Sequence, residues 1–406
     1  MRVNQALARL SASLAASIGL LVPFQASAQI SDHAIRIGFL TDLSGVYSDI
    51  DGPGGVEAIR MAIADSGGSL NGKPIELLVA DHQNKPDIAA IKAREWFDRH
   101  GVDMLIGGTN SGVNLAIAKV AAEKQRTYFA VGSGSVRLTN EECSPYTIHY
   151  VFDTVALARG TGSALVKQGG KSWFLLAVDY AYGSQMRKDA TAVVEGSGGK
   201  VLGSIKFPLA TPDFSSYLLQ AQASGAQILG LISAGNDTIN AIKAASEFGI
   251  AKSMKLAGMS IFITDIHSLG LKLTQDMFVT DGWYWDLTPE SRAWARRYFA
   301  KTKRMPTMLQ AGDYSAVWQY LRAVKSVGSD ASEKVVAYLK STEISDMFAT
   351  KGKVRPDGRM VHDMYLLQVK KPAESKYPWD YYKLVHTIQG ADAYTTKAES
   401  LCPLWK

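Results

Sequence analysis

The alternation of strands and helices that decides the fold begins at residues 35–45, which read Ile-Arg-Ile-Gly-Phe-Leu-Thr-Asp-Leu-Ser-Gly. The first six residues form a short apolar run that is typical of a buried strand, and the last five predict a loop. Val56, Ile59, Ala62 and Ile63 then recur at the spacing of one helical face. A strand, a loop and a helix in this order predict one βα unit.

The same unit recurs along the chain and restarts after Asp153. Strands and helices in alternation predict an α/β fold with parallel-rich sheets that are covered by helices on both faces. Because 406 residues exceed what one core usually supports, we expect two domains. Further strands are predicted at 74–80, 104–106, 128–131, 173–178, 201–205 and 228–232, and helices at 89–97, 115–122, 156–166, 184–194, 214–223, 240–248, 289–303 and 309–327. The tail after Lys370 shows little periodicity.

The composition indicates a folded globular chain, with 47% hydrophobic and 20% charged residues. The formal charge of +6 is modest for this length, and the Lys and Arg residues are scattered. We therefore expect no nucleic-acid partner.

Residues 1–28 predict a cleaved signal peptide. Arg2 and Arg9 give a basic start, an apolar stretch follows over 10–24, and 26–28 read Ala-Ser-Ala. A membrane anchor is the alternative, but the apolar stretch is interrupted by serines and is too short to span a bilayer. We expect export to the periplasm without stable membrane insertion.

The chain contains two cysteines, Cys143 and Cys402. An oxidising compartment favours a disulfide between them over two free thiols. Such a bond would tie the C-terminal tail to the middle of the chain.

Four loops at the carboxyl ends of predicted strands contain small and hydroxyl-bearing residues. Ligands bind at this edge of parallel sheets, and glycines let the backbone approach them closely. A helix that starts at Ser111 would add free N–H groups, and Ser111 and Ser133 would add hydroxyls. Together the loops predict a cradle for a carboxylate or another small polar group, although each loop alone is better explained as a tight turn with a helix cap. The loops are 41–45, 107–112, 132–135 and 258–260.

Aromatic residues also follow predicted strands. Each alone is better explained by core packing, but together at one cleft they would line an apolar pocket or stack on a planar ligand. They are Tyr47, Tyr180, Tyr182, Trp283, Tyr284, Trp285 and Tyr314.

Enzymatic motifs are incomplete. The segment 67–73 has the spacing of a phosphate-binding loop, but Pro74 stands where that motif needs Ser or Thr. The seven histidines are isolated, and no serine has the flanking glycines of a nucleophile elbow. We therefore expect no cofactor, no metal and no catalytic residue, and an exported enzyme is the least favoured function.

The order of these segments resembles the periplasmic substrate-binding proteins of ABC transporters, specifically the branched-chain amino-acid (Leu/Ile/Val) receptor family. The resemblance covers about residues 33–370, and it is clearest at 38–45, 71–75, 106–112, 179–183 and 213–215. It implies the type I periplasmic binding fold, in which two Rossmann-like lobes are joined by three crossings and enclose a ligand between them. The implied lobes are 29–150 plus 284–352, and 151–283 plus 353–406 with the tail.

The resemblance also implies a function. We expect a non-enzymatic, monomeric receptor that binds a small molecule and delivers it to the permease subunits of an importer. A ligand-sensing regulatory protein of the same fold is the alternative.

The family's carboxylate-binding Ser is similar to Ser111, and its acidic partner for an amino acid's ammonium group is replaced here by Ser260. An ammonium without that partner would be poorly paired in a desolvated cleft. We therefore expect a small carboxylate, unless Asp237, Asp281 or Asp313 points into the cleft and restores amino-acid binding. The predicted ligand-binding residues are Ser44, Tyr47, Asn110, Ser111, Gly132, Ser133, Gly134, Tyr182, Ser260, Tyr284 and Tyr314.

Overall fold

The computed structural model describes residues 30–406, so the predicted signal peptide lies outside the described residues. The strands are β1 (Ile35–Thr41), β2 (Ser69–Leu70), β3 (Lys73–Asp81), β4 (Met104–Gly107), β5 (Thr127–Ala130), β6 (Thr147–His149), β7 (Ser172–Val178), β8 (Lys200–Phe207), β9 (Ile228–Ile232), β10 (Lys255–Gly258), β11 (Phe278–Asp281), β12 (Lys353–Val354), β13 (Met360–Val361), β14 (Met364–Val369) and β15 (Tyr382–Ile388).

The α-helices are α1 (Gly52–Asp65), α2 (Pro86–Arg99), α3 (Ser111–Lys124), α4 (Thr154–Leu157), α5 (Ser163–Lys167), α6 (Ala181–Gly196), α7 (Ser215–Ala223), α8 (Gly235–Glu247), α9 (Ile263–Leu269), α10 (Leu271–Thr274), α11 (Pro289–Thr302), α12 (Met308–Val327), α13 (Ser332–Ser341) and α14 (Gly390–Ala393). A π-helical segment, Ala158–Gly162, joins α4 to α5.

The first sheet has the strand order β2-β3-β1-β4-β5-β6. Strand β1 pairs in parallel with β3 and β4, and β5 pairs in parallel with β4 and β6. The register places Leu40, Gly107 and Ala130 side by side, so the loops that follow β1, β4 and β5 emerge together. Helices α11 and α12 return to pack on α1. This sheet with α1–α3 and α11–α13 is called the first lobe below.

The second lobe is built on a parallel sheet of order β10-β9-β7-β8, with α4–α10. Beside it lies an antiparallel sheet of order β11-β14-β15. The two lobes of alternating strands and helices confirm the predicted fold class, whereas β15 contradicts the expectation of an irregular tail.

The chain passes between the lobes three times, after β6, after β11 and after α13. The first and third crossings lie side by side, because the amide of His149 donates to the carbonyl oxygen of Gly358 at 2.9 Å and His149 forms a β-bridge with Arg359. The exact residue limits of the lobes stay a prediction.

The disulfide between Cys143 and Cys402 is confirmed, with their α-carbons 5.8 Å apart. The tail is held further by Leu401, whose amide donates to Asn140 Oδ1 at 2.9 Å. None of the helices within residues 30–406 has the length and hydropathy that a membrane span requires.

A candidate ligand cavity between the lobes

A small cavity of about 20 Å³ lies between the two lobes, at the carboxyl ends of both parallel sheets. This volume holds about one water molecule, so an organic ligand fits only after the lobes move apart. Loops after β1, β4 and β5 form one wall, and loops after β7, β9 and β10 form the other. The lining residues are Tyr47, Ile50, Thr109, Asn110, Ser111, Gly132, Gly134, Phe152, Tyr180, Tyr182, Ala234, Ser260, Phe262 and Leu309.

Three helices begin at the cavity wall. Helix α3 begins at Ser111, α6 begins directly after Tyr180, and α8 begins directly after Ala234. The first N–H groups of a helix lack partners within it, and they carry partial positive charge. Three such ends around one cavity favour an anionic ligand.

The cradle around Ser111 is tightly built. Asn110 caps α3 by accepting a hydrogen bond from the Val113 amide at 3.2 Å, and Ser111 Oγ accepts one from the Gly134 amide at 3.2 Å. A β-carbon at position 132 would overlap the backbone of Gly108 and Thr109, so only glycine fits there. The loops after β4 and β5 therefore pack directly against each other.

Two polar groups at the wall make no hydrogen bond within residues 30–406, namely Thr109 Oγ1 and Tyr182 Oη. Burial raises the pKa of the Tyr182 hydroxyl, and the nearby Ser260 hydroxyl partly offsets this rise. Tyr182 is therefore a neutral phenol at physiological pH. Buried polar groups in proteins are normally hydrogen-bonded, so these two hydroxyls are candidates to bond a ligand.

No acidic or basic side chain lines the cavity among the described residues. Asp237 Oδ2 accepts a hydrogen bond from the Ala210 amide at 3.0 Å, and Asp281 Oδ1 accepts one from the Trp283 amide at 3.3 Å. Asp313 is buried beside Asp51 instead. None of the three acids that were expected to restore amino-acid binding lies in the cavity wall.

The two lobes touch across the cavity in a closed arrangement. The hydroxyl of Tyr47 in the first lobe lies 2.8 Å from the hydroxyl of Tyr180 in the second. The Asn236 amide donates to the Val46 carbonyl oxygen at 3.1 Å. These contacts enclose the space between the lobes.

The structure brings seven of the eleven predicted site residues together in the lining, and it places four elsewhere. The seven are Tyr47, Asn110, Ser111, Gly132, Gly134, Tyr182 and Ser260.

The other four make different contacts, and none of them lines the cavity. Ser44 Oγ donates to Asp81 Oδ2 at 2.7 Å on the surface, and Ser133 Oγ accepts from the Ser135 amide. The hydroxyl of Tyr284 points to the carbonyl oxygen of Trp379. The hydroxyl of Tyr314 donates to Asp65 Oδ2 at 2.7 Å, on the far side of α12 from the cavity residue Leu309.

The list of eleven omits seven lining residues. Two of them, Thr109 in the loop 107–112 and Tyr180 among the aromatic residues, were expected near a ligand because each follows a predicted strand. The others are apolar or small and come from separate segments, so the sequence pattern does not single them out. They are Ile50, Phe152, Ala234, Phe262 and Leu309.

Comparison with known proteins identifies the family. A family model described as "Periplasmic binding protein" matches residues 34–376. The chain belongs to this family. It is 61% identical to a periplasmic binding protein from Burkholderia mallei, over 92% of this chain and 100% of that one, with a TM-score of 0.91. The family consists of solute-binding receptors.

Other relatives confirm the resemblance to Leu/Ile/Val-type receptors. A branched chain amino acid ABC transporter periplasmic ligand-binding protein from Burkholderia xenovorans LB400 is 42% identical over 92% of this chain and all of that one, with a TM-score of 0.81. The Leu/Ile/Val-binding protein homolog 6 of Brucella melitensis is 23% identical, and the match spans 58% of this chain and 59% of that relative's length.

A solute binding protein from R. palustris, solved in complex with benzoate, shares the fold. Its TM-score is 0.80 at 20% identity, over 91% of this chain and 99% of that one.

Proposed function

We propose that this protein is the periplasmic solute receptor of an ABC importer, and that it captures a small organic carboxylate with an apolar body. The observation that carries the proposal is the cavity between the lobes, which has three helix N-termini at its wall and, among residues 30–406, no Asp, Glu, Lys, Arg or His in its lining.

The chemistry of the lining supports a carboxylate over an amino acid. The α3 amides, the Ser111 hydroxyl and the unpaired Thr109 and Tyr182 hydroxyls can donate to an anion. A zwitterion would also bury an ammonium group that meets no carboxylate, at a cost of several kcal/mol. Apolar side chains can pack on the rest of the ligand; they are Ile50, Phe152, Phe262 and Leu309.

Hinge closure provides the mechanism of capture. The ligand contacts the first lobe, the second lobe then adds Tyr182 and Ser260, and the closed form binds the ligand more tightly than the open form does. The closed pair of lobes is the form that the permease subunits recognise. Removal of residues 1–28 on export would leave a monomeric protein in the periplasm, with lobes 29–150 plus 284–352 and 151–283 plus 353–406.

We expect purified, ligand-free protein to bind benzoate, which serves as a probe of a planar carboxylate. Benzamide, which has the same shape without the charge, should bind at least about tenfold more weakly because it loses the charge-assisted hydrogen bonds. Leucine should bind weakly because the cavity lining offers no carboxylate to pair with its ammonium group. Isothermal titration calorimetry measures all three; binding of leucine alone would contradict the proposed ligand class.

Replacing Ser260 with Glu should reverse this preference. The new carboxylate would face the cavity from the second lobe, where it can pair with an ammonium and repels an anion. We expect leucine affinity to rise and benzoate affinity to fall by at least about tenfold each. Ser204→Glu adds the same charge at an exposed position of β8 and is the matched control. If both variants kept the benzoate affinity of the wild type, Ser260 would not contact the ligand.

A further inference from the structure

Two buried carboxyl groups, those of Asp51 and Asp313, lie directly behind the cavity wall of the first lobe. Both residues are fully buried. Asp51 follows Ile50 in the chain, and Asp313 lies about one helical turn after Leu309 in α12. Ile50 and Leu309 both line the cavity, so a displacement of either acid would reach the wall.

The two carboxyl groups face each other. Both crowd Gly55, where a β-carbon would overlap Asp51 Oδ1 and Asp313 Oδ2. These two oxygens and Asp313 Oδ1 have no other hydrogen-bond partner within residues 30–406, and the two carboxyl groups are close enough to share a proton. Two ionised carboxylates cannot share such a site, so one of them must hold a proton.

Asp51 is the member that accepts hydrogen bonds from the cavity wall. Its Oδ2 accepts from the Thr109 amide at 3.1 Å and from Thr41 Oγ1 at 3.2 Å. Asp313 has no comparable donor, so the proton belongs on Asp313 and the charge on Asp51. The Asp51 carboxylate then fixes the Thr109 peptide, whose side chain lines the cavity.

The surrounding groups supply no buried cation to replace the proton. Asp42 faces the pair from the end of β1, and Tyr298 faces it from α11. Gln310 on α12 donates to the Asp51 carbonyl oxygen at 3.5 Å. Arg304, a cation near Tyr298, is bound to Asp49 at the surface instead. Burial raises the pKa of Asp51 to about 6, and it raises that of Asp313 well above its ordinary value.

We propose that Asp313 is a positioning residue for the ligand site: its protonated carboxyl group donates to the Asp51 carboxylate, which holds Thr109 and the adjoining wall in the binding arrangement. The proposal rests on the proposed function for its link to a ligand. Loss of the proton would place two negative charges side by side and push the wall apart.

The test compares four forms of the protein with benzoate as the probe, from about pH 7, where Asp51 is ionised, to about pH 9. In the wild type we expect the affinity for benzoate to fall about tenfold as the pH rises. Asp313→Asn keeps a donor that does not ionise, so its affinity should match that of the wild type at the lower end of this pH range and stay constant above it. Asp313→Leu removes the donor and should lose affinity about tenfold at every pH.

Asp103→Asn is the matched control. Asp103 is also buried with its pKa raised to about 7, but it lies at the opposite end of the first sheet, where it accepts from the Arg36 amide at 2.8 Å. This variant should keep the wild-type dependence of benzoate affinity on pH. If the benzoate affinity of Asp313→Asn fell with rising pH in parallel with that of the wild type, the proposal would be overturned.

A readout without ligand separates this proposal from the proposed function. A carboxyl group whose pKa is raised on folding stabilises the protein fully only below its ordinary pKa of about 4, and that stability is lost between there and the raised pKa, which is about 6 for Asp51 and well above the ordinary value for Asp313. Thermal unfolding of the wild type should show this loss, and Asp313→Asn should reduce it. A wild type that binds no carboxylate would refute the proposed function, whereas equal pH dependence of unfolding in both forms would refute the shared proton.

Discussion

Replacing Ser111 with Asp is expected to abolish the binding of benzoate and other small carboxylates. Ser111 lies at the first position of α3 and lines the cavity, so the new carboxylate would meet that of the ligand. Two like charges about 4 Å apart repel by about 4 kcal/mol at the effective dielectric of a protein site. This corresponds to roughly a thousandfold loss of affinity, which calorimetric titration can measure.

The fold should tolerate this change, because an acidic residue in the first turn interacts favourably with the helix dipole. Ser111→Asn is the matched control, since it has nearly the same size without the charge, and it should lose far less affinity than the Asp variant. Retention of benzoate binding by Ser111→Asp, at an affinity within about tenfold of the wild type, would place the carboxylate elsewhere.

Removing the disulfide by replacing Cys143 and Cys402 together with Ser should produce the largest change in stability. The bond closes a loop with a sequence separation of 259, and a cross-link of that length restricts the unfolded chain strongly. We expect the free energy of unfolding to fall by up to about 5 kcal/mol, as measured by urea denaturation.

Benzoate affinity should stay unchanged in this double variant, because neither cysteine lines the cavity. Reduction of the wild type with dithiothreitol should reproduce the loss of stability without any substitution. Equal denaturation midpoints for the oxidised wild type and the double variant would show that the tail contacts, such as that of Leu401 with Asn140, suffice on their own.

The sequence predicts the part of the site that parallel strands determine. The apolar run at 35–40 becomes β1 (Ile35–Thr41), and the register of β1, β4 and β5 forces their loops to one edge. Asn110, Ser111 and Gly132 therefore line one cavity, as expected from their positions after strands.

Other features depend on tertiary contacts that no local pattern reports. Strand β15 is an edge strand that mixes buried and exposed residues with Lys383 and His386, so it lacks a clean alternation. Tyr314 lies on a face of α12 that meets Asp65 of α1. Leu309 comes to the cavity on the same helix, but an apolar residue in a helix carries no mark of a ligand contact.

The contact between the Tyr47 and Tyr180 hydroxyls has a consequence for the rate of ligand release. On the proposed hinge mechanism a ligand leaves only when the lobes part, and parting of the lobes breaks this contact and the Val46–Asn236 hydrogen bond. The residence time of every ligand therefore has a common lower bound, which is the time that the protein takes to open. Ligands that differ in affinity should therefore dissociate at similar rates, provided that their contacts with the protein are weaker than these two contacts between the lobes.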